Sequence, residues 1–193
     1  CFTVQGNSSA WSDLLWPHKW SLYSVTCTLK GARITPYFLT MENGFGTGTM
    51  CHELTHVFGA PDLYHYSSSG KTGPAPVGSW CLMAGSADPP QGVCGYLRLK
   101  YNGWISELPE ITESGTYSLK PLMKSATHNL YKIASPYSKT EFFVLEYRVK
   151  EGRYEVSIPG SGLLVYRINT SAGGNASGPP DEVYIYRPGG NLT

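Results

Sequence analysis

The feature that most constrains this chain is the run Cys51-His52-Glu53-Leu54-Thr55-His56-Val57-Phe58-Gly59-Ala60-Pro61-Asp62. Residues four apart lie on one face of an α-helix, so His52 and His56 can aim two imidazoles at one point. Neutral imidazole is a good ligand for zinc. Glu53 sits about 100° further round, too far to join them as a simple third ligand but able to reach a water on the metal. The spacing predicts a helix over about 48–58. Glycines at 44–48 favour a loop before it, and Thr47 or Thr49 is a candidate N-cap. Met50, Leu54, Val57 and Phe58 fall at i, i+4, i+7 and i+8, which predicts a core-facing stripe. Gly59 and Pro61 then stop the helix: one residue is free to turn left-handed and the other cannot continue. The chain must reverse there, which lets Asp62 swing back as a third ligand. Three protein ligands plus a water is the catalytic zinc pattern.

H-E-x-x-H is a zinc-hydrolase signature. Downstream, residues 78–86 read G-S-W-C-L-M-A-G-S. A methionine in a tight, small-residue turn after such a motif, here Met83, is what metzincin proteases place beneath the metal. Together with Tyr96-Leu97-Arg98-Leu99-Lys100-Tyr101-Asn102-Gly103-Trp104-Ile105, these segments resemble secreted metalloproteases of the immune inhibitor A type. The resemblance extends upstream to Trp16-Pro17-His18-Lys19-Trp20. Downstream it reaches Phe143-Val144-Leu145-Glu146-Tyr147-Arg148 and Gly160 to Arg167. It implies that His52, His56 and Asp62 hold Zn²⁺, with His65 of Tyr64-His65-Tyr66 a rival third ligand. It further implies that Glu53 is the general base and Met83 the Met-turn residue of an endopeptidase acting on protein or peptide substrates.

Composition narrows the alternatives. Of 193 residues 15% are charged and the net charge is +1, which indicates neither nucleic acid nor a polyanionic partner. No stretch approaches 18 apolar residues, so no membrane span is expected. Fourteen tyrosines, 22 glycines and 14 prolines favour strands, turns and long ordered loops over helices. Five cysteines without a C-x-x-C pair suit an oxidising, secreted setting. Cys81 and Cys94 are the first choice for a disulfide, Cys27 with Cys51 an alternative. Sequons at Asn7, Asn169, Asn175 and Asn191 would permit glycosylation. The chain opens on Cys1 and reads as a piece of a longer product.

After about residue 108 the texture changes. Thr116–Leu119, Asn129–Ala134, Glu141–Val149, Gly162–Ile168 and Val183–Tyr186 are strand-type runs at sandwich-like spacing. Upstream, residues 20–29 and 34–40 read as strands and 93–105 as a helix ended by Asn102-Gly103. The expected fold is α+β: part of a metzincin-like zinc protease domain over 1–107, with its Met-turn at about 80–86, then an all-β sandwich-like region over 108–193. Residues 171–180 read as a flexible loop. Asp181 and Glu182 are candidates for Ca²⁺, and Glu146 with Arg148 reads as a structural charge pair. The rival function is a non-catalytic β-rich binding or adhesion module with a vestigial zinc site.

Overall fold

The computed structural model describes residues 16–41, 45–66 and 75–187. Cys1, Asn7, Asn191, Gly44 and part of the loop after Tyr66 lie outside the described residues. Four short strands open the chain: β1 (His18–Ser21), β2 (Cys27–Leu29), β3 (Ala32–Ile34) and β4 (Pro36–Leu39). β1 pairs with β4 and β2 with β3, both antiparallel. The β2–β3 hairpin turns on Lys30 and Gly31, both at positive φ, as a two-residue turn matched to strand twist requires. Helix α1 (Thr47–Val57) and the shorter α2 (Gly95–Lys100) follow. The chain ends in one antiparallel sheet ordered β5 (Leu130–Ala134), β6 (Glu141–Arg148), β7 (Gly162–Asn169), β8 (Val183–Ile185).

This overturns the expected fold class. The structure is mainly β, in three antiparallel sheets with only two α-helices among the described residues, and it is not a helical metzincin-like protease domain followed by a sandwich. Helix is confined to two stretches, and glycines at positive φ, Gly59 and Gly103, follow each of them. Thr116–Leu119 forms no strand. The region after 108 contributes one sheet, and a sandwich needs two. Its inward residues Val144, Leu164, Tyr166 and Ile168 bury instead against Val77, Leu82, Met83, Cys94 and Leu97. One buried cluster therefore joins residues on both sides of position 108.

A buried ion network ties the sheet to the turn around Met83. Alternation along β6 points Val144, Glu146 and Arg148 inward. Arg148 donates to Glu146 at 3.1 Å and to both oxygens of Glu155 at 2.7 Å, so the charge pair extends to a third residue. Arg148 also donates to the Trp80 carbonyl at 2.9 Å. Glu155 accepts from Gly92 N–H at 3.0 Å and Glu146 from Gly95 N–H at 2.7 Å. Every remaining partner is backbone of segment 80–95, so the network fixes that segment's path. The Glu146 and Glu155 carboxylates outweigh burial and hold the Arg148 guanidinium above its ordinary pKa.

Cys81 and Cys94 lie side by side in the core, but as free thiols, with Cys94 N–H donating to Cys81 Sγ at 3.2 Å. Cys27 and Cys51 are free too. The expected Cys81–Cys94 disulfide is absent, and the possible Cys27–Cys51 pair is not formed either. Arg148→Ala should cost about 3–5 kcal/mol of stability, because it leaves two buried carboxylates unpaired. Urea unfolding checks this, and a loss near that of an exposed-site substitution would refute the network's role.

Candidate metal centre

The helix positions the site by an inversion of the expected stripe. Its buried residues are Gly48, His52, Glu53 and Thr55, while Leu54 and Phe58 are 41% and 48% exposed. The polar face points inward because loop 81–92 and the residues after the helix supply partners there. Neither Thr47 nor Thr49 caps the helix: the N-cap is Gly46, without a side-chain bond. Asp88 from the distant loop accepts from Thr47 N–H at 3.2 Å instead, a carboxylate at the positive helix end. The approach is so close that a Cβ on Gly48 would sit 2.0 Å from the Ala87 carbonyl oxygen.

His52 Nδ1 lies 2.9 Å from the Leu82 carbonyl and His56 Nδ1 2.7 Å from the Ala60 carbonyl. A carbonyl only accepts, so each Nδ1 carries a proton, and in the neutral imidazole each Nε2 is then a bare lone pair. Those two Nε2 atoms are 3.1 Å apart. Asp62 Oδ1 lies 3.0 Å from one and 3.3 Å from the other, buried and without a donor. Three electron pairs thus converge with no proton between them, a donor set that fits a cation. His52, His56 and Asp62 form a group that could hold a metal ion.

Asp62 arrives through the predicted reversal. Gly59, at φ 97°, turns the chain and its N–H returns to the His56 carbonyl at 3.0 Å. Tyr66 OH donates to Asp62 Oδ2 at 2.5 Å, leaving Oδ1 to face the histidines. His65, the rival ligand, is not in the cluster: its Nε2 is engaged by Asp181 Oδ1 at 2.6 Å. Glu182 meets Lys100, Tyr101 and Gly174 N–H. The two acidic side chains suggested for Ca²⁺ are therefore committed to separate partners. Met83 is fully buried, and its carbonyl accepts from Leu63 N–H at 2.8 Å. With Leu82 holding His52, the Met83 turn thus fixes both one ligand and the loop carrying another.

Glu53 is 5% exposed and its Oε2 is buried without a hydrogen-bond partner. Burial raises its pKa, against the lowering effect of His52 and His56. Burial alone would lower His52, but Asp62 and the Leu82 carbonyl reverse that and raise it. Burial would raise Asp62; the adjacent His52 and His56, with the Tyr66 bond, favour its charged form and hold it well below the usual carboxylate range. Burial and the Asp62 charge push Tyr64 up to about 12. The group opens onto a cleft of about 1190 Å³, walled by Trp16, Trp20, Tyr64 and Tyr66, with His18 at its edge. The Leu82 and Ala60 carbonyls had no signal in the sequence, since backbone contacts carry no residue code.

Set beside protein-family models, curated proteins and solved structures, the chain matches none of them. Among the described residues no helix is long and apolar enough to cross a membrane.

Two outcomes follow from the converging lone pairs. His52→Ala or His56→Ala should lose a stoichiometric metal ion, read by metal analysis after dialysis. Protons and metal compete for the same electron pairs. Because the His52 pKa is raised, its proton persists to higher pH, and loading should fall as pH drops through that raised value. Chelator competition across a pH series reads this, and pH-independent loading would argue against these ligands.

Proposed function

We propose that this protein is a zinc-dependent endopeptidase acting on protein or peptide substrates outside the cell, of the immune inhibitor A type that its motifs resemble. The observation that carries the reading is the pairing of the three-ligand group with Glu53. A buried carboxylate oxygen without a partner costs stability. It gives the fold nothing in return, yet it stands one residue from a ligand and borders the cleft. That cost weighs against the rival reading of a binding module with a vestigial site.

In this proposal His52, His56 and Asp62 hold the ion, and bound zinc supplies a Lewis acid and lowers the pKa of water there toward about 7. Glu53 accepts the proton from water as it attacks the scissile carbonyl, then returns it to the leaving amine nitrogen. The raised pKa of Glu53 suits that double role, since a group that both takes and gives a proton works best when its pKa lies nearer the operating pH. Tyr66 keeps Asp62 Oδ1 turned toward the histidines. The aromatic walls of the cleft offer a chain of substrate apolar contact beside the reacting bond.

With zinc supplied, the chain should hydrolyse an unfolded generic protein. Glu53→Gln should keep the metal and lose about 10²–10⁴-fold in rate. Undiminished cleavage by that variant would refute the general base. Zinc uptake without cleavage by either protein would favour the binding-module reading.

A further inference from the structure

The segment before β8 reads in sequence as a loose, small-residue loop. In the fold it is a strap across the loop that carries Asp62. Asn175 is fully buried. Its backbone N–H donates to the Asp62 carbonyl at 2.8 Å. Its side-chain amide donates to the Leu63 carbonyl at 3.2 Å and the Val183 carbonyl at 2.8 Å, and accepts from Val183 N–H at 3.1 Å. Both amide hydrogens and one lone pair of the amide oxygen are thus used to rivet the ligand loop to the start of β8. One residue on, the Ala176 carbonyl accepts from Tyr66 N–H at 3.0 Å, fixing the tyrosine that holds Asp62 Oδ2. One residue earlier, Gly174 runs at φ 75° so close that a Cβ would meet Pro61 Cβ at 2.7 Å.

The ligand loop needs this. Residues 60–66 are neither helix nor strand, so no ladder of their own sets where Asp62 points. The Met83 turn holds one side through Leu63 N–H, and the strap takes the other. The Asn175 amide hydrogens are both spent, so the sequon it heads is closed to glycosylation in the folded chain.

We infer that Asn175 is a positioning residue for the third metal ligand, acting through the backbone of Asp62 and Leu63 and through Tyr66. The inference rests on the metal-site reading but not on proteolysis. The test uses the full chain and zinc alone. Asn175→Ala should raise the zinc Kd about ten- to a hundredfold by chelator competition, the usual effect of losing an outer partner of a ligand. Leu122→Ala, a truncation at a buried residue outside the cluster that packs on the Met83 turn, should lower Tm while leaving the Kd unchanged, which separates positioning from general destabilisation. In the unaltered chain, binding at Asp62 must in turn stabilise what holds it. Zinc should therefore slow hydrogen exchange at the Asn175 and Tyr66 amides more than in β6. That measurement decides if Asn175→Ala does not fold. An unchanged Kd in a folded Asn175→Ala, or no added protection at those amides, overturns the inference alone. No zinc uptake by the unaltered chain overturns the metal-site reading and the inference with it.

Discussion

The rest of the site depends on two carbonyls, those of Leu82 and Ala60, each accepting from a histidine Nδ1. They decide which nitrogen is bare. If either contact were lost, the imidazole could protonate on Nε2, donate to Asp62 Oδ1 and satisfy itself. The pocket would then be an ordinary hydrogen-bonded pair. Held as they are, the two rings and the carboxylate face one another with lone pairs only, which is unfavourable for a protein alone and favourable for a protein with a cation. Second partners on ligands are thus the difference between a cluster and a binding site.

Those carbonyls come from chain segments fixed by quite different means. Ala60 belongs to the turn immediately after α1, set locally by Gly59. Leu82 belongs to the Met83 turn, whose path is set by the Arg148 network rooted in β6. Buried ion networks are weak evidence for net stability. This one has a geometric role: the sheet orders segment 80–95, which in turn holds His52 and the loop of Asp62. The sheet that sequence reading separated off as an appendage is part of the foundation of the centre.

The exposed side of α1 shows what this arrangement costs. An amphipathic helix ordinarily buries its apolar stripe, since about 25 cal/mol per Å² favours doing so. Here Leu54 and Phe58 remain nearly half exposed, Phe58 edge-on to the exposed Trp104. The histidines and Glu53 take the interior instead. A helix read by hydrophobicity alone is therefore turned the wrong way, and only the polar partners supplied by distant loops explain its rotation.

The sequence alone determined the local chemistry. The four-residue spacing of His52 and His56 put both on one helix face, Gly59 and Pro61 required the reversal, and Asp62 lay within reach after it. Turn residues and alternation located β5 to β8 within one or two positions. Each of these rests on interactions between near neighbours, which residue identity encodes directly. Tertiary structure decided the rest: that the strands fall into three separate antiparallel sheets, that one sheet packs on the Met83 turn instead of on a second sheet, that Cys81 and Cys94 remain thiols, that Asp62 joins the group and His65 turns to Asp181, and that Asn175 braces the loop of Asp62. These follow from contacts between backbone groups and side chains far apart in sequence. Nothing in a residue's own identity announces which distant carbonyl it will meet.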